Sequence, residues 1–187
     1  MDVRPLPEGF DAERVLHSDV LSLHPLQEAD RPELLDAAGD PKIWAGHPAK
    51  DRWKPENFGE YFDFLLAAGG TLVARDGNGA VIGLSRFYAS TDAPHGIGIG
   101  FTFLVRAHWG GATNFEMKRL MVERVFATCS EVWFHIAPTN MRSQSATAKL
   151  GAEPVENAML DLGTGTMDWS RMVLRPEAWQ KACAQRS

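Results

Sequence analysis

The sequence of 187 residues predicts a mixed α+β fold, in which helices cover a largely antiparallel sheet. Two local patterns predict this class. Residues 55–68 repeat large apolar side chains at helical spacing, namely Phe58, Tyr61, Phe62 and Leu65. The turn Asp76-Gly77-Asn78-Gly79 stands between two strand patterns, which is typical of a β-hairpin.

The chain begins with an irregular segment. We expect residues 1–18 to form an arm, because prolines and a glycine interrupt any regular pattern there, and residues 19–187 to form one domain. Residues 20–26 alternate apolar and polar side chains and predict a strand. The segment Asp30-Arg31-Pro32-Glu33 predicts a helix to residue 38, with Asp30 as the N-cap.

The remaining elements follow from the same patterns. Strands are predicted at 71–75, 80–90, 96–105 and 132–137, and two more flank residues 163–165. A helix ending near residue 128 has an apolar stripe of Met117, Leu120, Met121 and Val125, while Glu116, Lys118, Arg119 and Glu123 point elsewhere. Further helices are predicted at 140–150, closed by a left-handed Gly151, and from Pro176 onward.

Composition excludes several classes of function. A net charge of -5 argues against a nucleic-acid partner, which needs a basic surface. The two cysteines, Cys129 and Cys183, form no motif typical of a disulfide framework or a metal site. The N-terminus does not resemble a signal peptide, and no apolar run is long enough to span a membrane. We expect no metal and no membrane, and a cytoplasmic location by default.

Familiar catalytic motifs are also missing. Residues 83–87 lack the last glycine of a nucleophile elbow, and the glycines of 96–100 have the wrong spacing for a dinucleotide fingerprint. His135 lies on a predicted strand, where a hydrogen-bonded core or rim histidine is more common than a ligand. The sequence therefore does not favour a serine hydrolase, a Rossmann enzyme, a P-loop ATPase or a zinc protease.

Two helix starts remain as candidate binding sites. Gly110 and Gly111 precede the predicted helix that ends near residue 128, so its first N–H groups can hold an anion, or the glycines can simply make a turn. Asn140 and Ser143 stand in the first turn of a later helix. There Asn140 fits a plain N-cap better than a cleft residue. Neither segment by itself shows whether it binds a ligand or only begins a helix.

The order of these segments resembles the general-control-related N-acetyltransferases (GNAT). Within them it is most similar to the branch of ribosomal-protein N-terminal and small-amine acetyltransferases. The likeness covers residues 20–175 and is carried by LSLHPLQEADRPELLDAAGDPKIW, Trp109-Gly110-Gly111 and NMRSQSATAKLGAEPVE. The resemblance implies a mixed sheet with helices on both faces and a splayed central pair of strands. Ala112 and Ala107 depart from the usual phosphate-loop pattern.

The resemblance implies acetyl-CoA as co-substrate. Its pyrophosphate would lie on Gly110, Gly111, Ala112, Thr113 and Asn114. Its pantetheine arm would lie along the strand with Phe103, Leu104 and Val105, where a backbone N–H polarises the thioester carbonyl. Asn140 would hold pantetheine, and Ser143 would lie near the sulfur.

The resemblance further implies direct attack of an amine on the thioester. The general acid is a tyrosine in many relatives, but Thr147 stands at that place, which leaves Ser143 as the candidate acid and His135 as the candidate base. The acceptor would lie beside an aromatic-rich patch, although such a patch is more often core than pocket, and the candidates are Trp44, His47, Arg86 and Tyr88. The resemblance allows a homodimer. An inactive CoA-binding regulatory module and an unrelated α+β binding protein are the alternatives.

Overall fold

The computed structural model describes residues 1–186. In chain order its strands and helices are β1 (Val3–Arg4), β2 (Leu16–His17), β3 (Leu21–Pro25), α1 (Arg31–Ala38), α2 (Pro41–Trp44), α3 (Pro55–Ala68), β4 (Thr71–Asp76), β5 (Val81–Ser90), β6 (Gly96–Leu104), α4 (Ala112–Phe126), β7 (Glu131–Ile136), α5 (Met141–Ala148), β8 (Glu153–Asp161), β9 (Thr166–Leu174) and α6 (Pro176–Ala184).

The predicted α+β class is confirmed. The pairing is mostly antiparallel, and β6 and β7 form a parallel pair. The register of this pair joins the first three residues of each strand, Gly96 to Glu131, Ile97 to Val132 and Gly98 to Trp133. The expected splay would begin beyond these paired residues. Helix α3 has the predicted bounds, and the hairpin turn lies between β4 and β5. Gly151 has a φ of +92°, as its helix-closing role requires.

Two local predictions need correction, and one short helix, α2, is additional to those predicted. The arm contains β1 and β2, which have two residues each and therefore carry no periodic pattern; β1 pairs with the distant β5, and β2 pairs with the neighbouring β3. Asp30 precedes α1, but its carboxylate makes no cap bond to that helix. A 3-10 turn already begins at Glu28, so the carboxylate accepts from the N–H of Gln27 and pairs with Arg75.

The chain divides into two compact units, and β5, β6 and α4 contribute residues to both. The first unit comprises Met1–Phe10, Tyr88–Gly100 and the described chain from Val122 onward. In it β7 pairs with β9 and β9 with β8, both antiparallel, and β1 pairs with the end of β5. Ala93, Trp133 and Val173 form a small buried cluster there.

The second unit comprises Asp11–Phe87 and Phe101–Met121. Its antiparallel strands run in the order β2-β3-β4-β5. One core joins α1, α2 and α3 to β4, β5 and the end of β6, and it includes Phe58, Phe62, Leu65, Leu84 and Phe103. Burial of these large side chains supplies most of the driving force for this packing.

Within residues 1–186 no helix is both long and apolar enough to cross a bilayer. The same residues contain no group of three or more His, Cys, Asp or Glu side chains placed to share a metal ion.

Candidate functional site

The glycine pair of the second unit lies at the start of α4, a helix of 15 residues. Gly110 has a φ of +69°, a left-handed conformation that favours glycine. A Cβ built on Gly110 or Gly111 would meet nothing within 4 Å, so open space lies above both residues. The first N–H groups of a helix have no partners within the helix, and its dipole is positive there. This end of α4 is therefore suited to an anion.

The chain before the glycines is fixed by side-chain contacts. Trp109 donates its indole N–H to the carbonyl of Leu104 at 2.8 Å, which ties the loop back to β6. Arg106 pairs with Asp40, and His108 Nδ1 lies 3.2 Å from Thr113 Oγ1. These contacts hold the loop in place while Gly110, Gly111 and Ala112 stay exposed.

The end of β6 holds the predicted thioester strand. The N–H of Val105 donates to the carbonyl of Ile82 on β5 at 2.8 Å, so this N–H is engaged. The carbonyl of Leu104 accepts from Trp109, so it points away from β5. Because the N–H and C=O of one strand residue point to the same side, the N–H of Leu104 faces away from β5 as well. Of Phe103, Leu104 and Val105, Leu104 thus has the best-directed donor.

An irregular conformation in β6 precedes these residues. Phe101 has a φ of 55°, which is uncommon for a residue with a side chain. Tyr61 of α3 donates its hydroxyl to the carbonyl of Phe101 at 2.9 Å. Burial raises the pKa of Tyr61 to about 12, so the hydroxyl keeps its proton at neutral pH. This bond stabilises the strained backbone one residue before Thr102.

The position of Lys118 on α4 differs from the prediction, which placed it away from the apolar face. Met117, Met121 and Val125 are fully buried as expected, but Lys118 is buried too. Its ammonium lies 2.8 Å from Thr102 Oγ1 and 3.3 Å from Ser85 Oγ. The two hydroxyls accept from the ammonium and make its burial tolerable, and no local pattern in the sequence signals this pairing.

The predicted acceptor residues of the second unit have structural contacts. Trp44 lies in the core, donates its indole N–H to Ala38 at 2.9 Å and packs against Phe103. His47 accepts from the N–H of Ala49, and burial, assisted by the charge of Arg52, lowers its pKa to about 4.

Arg86 caps the end of α3. Its guanidinium donates to the carbonyls of Gly69 at 2.8 Å and Ala68 at 3.2 Å, and it lies over the rings of Phe64 and Phe101. The last carbonyls of a helix need such donors. The position of Arg86 thus has a structural explanation independent of any substrate.

In the first unit, His135 and Tyr88 come together. The Tyr88 hydroxyl lies 2.7 Å from His135 Nδ1, and His135 Nε2 lies 3.1 Å from Asp92, which also accepts from Arg171 at 2.8 Å. Burial alone would raise the pKa of Asp92. The hydrogen bond and charge of His135, with hydrogen bonds from Ser90 and Arg171, instead hold it well below its usual range. Asp92 and Arg171 were not predicted from the sequence.

Asn140 and Ser143 also come together in this unit. The side chain of Asn140 accepts from the N–H of Ser143 at 3.2 Å, which is the N-cap bond of α5. The bond uses Oδ1 of Asn140, and its amide Nδ2 is a donor on the other side of the same group. Thr147, further along α5, is buried.

Residues 21–153 match the family described as Acetyltransferase (GNAT) domain. No curated protein matches the sequence.

Solved structures resemble the fold across most of the chain. A GCN5-related N-acetyltransferase from Brucella melitensis superposes with a TM-score of 0.74 at 17% identity, covering 100% of this chain and 90% of that chain. An acetyltransferase of the GNAT family from Bacillus anthracis has a TM-score of 0.67 at 12% identity, covering 88% and 99%. Mycobacterium smegmatis RimJ in complex with CoA-disulfide has a TM-score of 0.65 at 15% identity, covering 92% and 93%. At these identities the likeness shows the fold.

Proposed function

Because this chain belongs to the GNAT acetyltransferase family, we propose that it transfers an acetyl group from acetyl-CoA to a primary amine by direct attack. The acceptor is a small molecule or a protein N-terminus. The segments quoted from the sequence favour the branch with the ribosomal-protein N-terminal acetyltransferases.

The start of α4 is the observation that carries the proposal. Open space above Gly110 and Gly111 and the left-handed φ of Gly110 fit a pyrophosphate that approaches the backbone closely. The N–H groups of Ala112, Thr113 and Asn114 belong to the first turn of the helix and would donate to it. Ala112 is exposed and adds only a methyl group beside this space.

The thioester would lie along the end of β6, beside Phe103, Leu104 and Val105. The N–H of Leu104 would donate to the thioester carbonyl and stabilise the oxyanion that forms on attack, since its direction is opposite to that of the engaged Val105 N–H. Asn140 would donate its amide Nδ2 to the pantetheine arm, and Ser143 would stand near the sulfur. Much of the rate enhancement then comes from holding two reactants in place.

His135 would act as the base through Tyr88. Both imidazole nitrogens are hydrogen-bonded, one to Asp92 and the other to the Tyr88 hydroxyl, so a proton from the amine would reach the ring by way of the phenol. The acceptor would bind in the second unit against an aromatic surface, and Trp44, His47 and Arg86 would help to shape that surface.

A CoA-binding regulatory module without turnover is the second candidate function. The buried Thr147 in place of a tyrosine favours it. The two candidates share the cofactor site and differ in whether an amine is consumed.

Thermal unfolding with and without acetyl-CoA tests the proposal. Ligand at about 100 times its dissociation constant should stabilise the native state by roughly 2.7 kcal/mol. No upward shift of the midpoint at millimolar acetyl-CoA would contradict both candidate functions. If the shift is present, a panel of amines with detection of released thiol distinguishes the enzyme from the inactive module.

A further inference from the structure

Lys118 is a titratable group that the proposed reaction does not yet use. Lysine is rarely buried without a partner, because its charge loses hydration. Here the ammonium meets two hydroxyls, Thr102 Oγ1 at 2.8 Å and Ser85 Oγ at 3.3 Å, which are themselves 2.7 Å apart. All three residues belong to the second unit. The cluster is a short hydrogen-bonded chain inside the protein.

Thr102 connects this chain to the surface. Lys118 and Ser85 are buried, whereas Thr102 is exposed. Its neighbour Phe103 packs in the aromatic core with Trp44, so the Thr102 side chain projects from the opposite face of β6, toward α4. Thr102 therefore links the buried ammonium to an exposed position on β6.

The charged groups around Lys118 are paired with other residues. On α4, Glu116 pairs with Arg119. On β5, Arg86 binds the end of α3, and β6 carries no titratable side chain. Burial is what lowers the pKa of the Lys118 ammonium, to about 7. Near neutral pH this group can therefore both hold a proton and release it.

We propose that Lys118, acting through the hydroxyl of Thr102, supplies the proton that the departing thiolate of CoA takes up. This inference rests on the proposed function, in which the thioester lies along the strand that contains Thr102. It gives the chain a proton donor in place of the missing tyrosine. Thr102 is then a catalytic residue, and Lys118 is a positioning residue that acts through it.

The proton transfer balances. When the tetrahedral intermediate collapses, the C–S bond breaks and its electron pair stays on sulfur. The Thr102 hydroxyl gives its proton to the sulfur and takes one from the Lys118 ammonium. Lys118 is left as a neutral amine and regains one proton from solvent, while the one proton lost by the attacking amine passes to His135 by way of Tyr88 and from there to solvent. A thiol has a reference pKa of about 8.5, above that of Lys118, so the transfer is favourable.

The rate of single-turnover acetyl transfer, measured against pH, distinguishes proton donation by Lys118 from a purely structural role. The donor must be protonated, so the wild-type rate should fall as pH rises through about 7. Thr102→Val and Lys118→Met should lose this fall and react at least about 10-fold more slowly at pH 6. Thr102→Ser keeps the hydroxyl and should keep the pH profile.

Ser85→Ala is a second test of the relay. It removes one acceptor of the same ammonium and leaves Thr102 in place, so the pKa of Lys118 should drop further and the fall in rate should move to lower pH without disappearing. Acetyl-CoA affinity by calorimetry should stay within about threefold in every variant. A wild-type profile in Thr102→Val, at wild-type affinity, would overturn the relay even if Lys118→Met fails to fold. A wild type that does not bind acetyl-CoA would instead overturn the proposed function.

Discussion

The ring of Tyr88 lies directly against Gly98 of β6, and its hydroxyl reaches His135 Nδ1 at 2.7 Å. A Cβ on Gly98 would lie 2.4 Å from Cζ of the ring, and one on Gly100 would lie 3.0 Å from Cε1. The alternating glycines of β6 thus have a packing explanation: they let an aromatic side chain from β5 lie across the strand and contact β7.

Gly98→Ala should destabilise the protein by about 3 kcal/mol, because the Tyr88 ring must move or the strand must bend. Urea unfolding measures this change. Gly59→Ala is the control, since a Cβ there meets nothing within 4 Å and alanine favours the helix, so it should be neutral or stabilising. In the Gly98→Ala background, Tyr88→Leu should cost at least about 1 kcal/mol less than in the wild type. If Tyr88→Leu lowered the free energy of unfolding equally in both backgrounds, the alanine at position 98 would not be clashing with the Tyr88 ring.

Removal of the Tyr88 hydroxyl tests the route by which His135 would act. If the proton passes through the phenol, Tyr88→Phe and His135→Gln should each lower kcat by about 100-fold, within threefold of one another. Trp169→Phe is the control. Trp169 meets the same imidazole edge-on with ring centroids 6.4 Å apart and takes no part in the transfer. A Tyr88→Phe variant with wild-type kcat would show that His135 is not a base acting through Tyr88.

Much of the fold was predictable because its signals are local. The helical spacing in 55–68 and the Asp76-Gly77-Asn78-Gly79 turn depend on residues close in sequence, and both predictions were confirmed. β1 was missed because Val3 pairs with Ser90, and a strand of two residues carries no periodic pattern. Short elements of this kind are specified by their partners.

The candidate site was less predictable for the same reason. Asp92 is 43 residues from His135, and nothing in its neighbourhood in the sequence indicates that contact. The sequence predicts Lys118 on the polar face of its helix, since a lysine is normally exposed. Its burial depends on Ser85 and Thr102, two ordinary hydroxyl residues on strands 33 and 16 residues away. Helical periodicity predicts which face of a helix is buried from the usual exposure of each residue type. It therefore misses a buried lysine whose partners lie on distant strands.

His47 should make stability depend on pH. Its pKa falls from 6.5 to about 4 in the folded state, because burial and Arg52 disfavour the charged ring. Between these values the unfolded chain binds a proton that the folded chain does not, so stability rises with pH in this window and is lost as pH falls through it. The loss from this residue should approach about 3 kcal/mol.

Denaturant unfolding between pH 4 and 7 measures the contribution of His47. His47→Asn keeps an acceptor for the Ala49 N–H but does not titrate, so its stability should fall less steeply with acid than that of the wild type. Identical pH dependence in the two proteins would show that His47 keeps an ordinary pKa when folded.

A substitution at Gly111 tests the phosphate loop without straining the backbone. The φ of Gly111 lies outside the left-handed region, unlike that of Gly110, and a Cβ there meets nothing within 4 Å. Gly111→Ala should therefore leave the unfolding midpoint unchanged and weaken acetyl-CoA binding by about 10-fold or less, since a methyl group only crowds the anion. Gly111→Glu adds a carboxylate at the anion site and should abolish the thermal shift produced by acetyl-CoA, because like charges repel there. The ligand-free midpoint of Gly111→Glu should stay close to that of Gly111→Ala. Wild-type acetyl-CoA affinity in Gly111→Glu would mean that the pyrophosphate binds elsewhere on the chain.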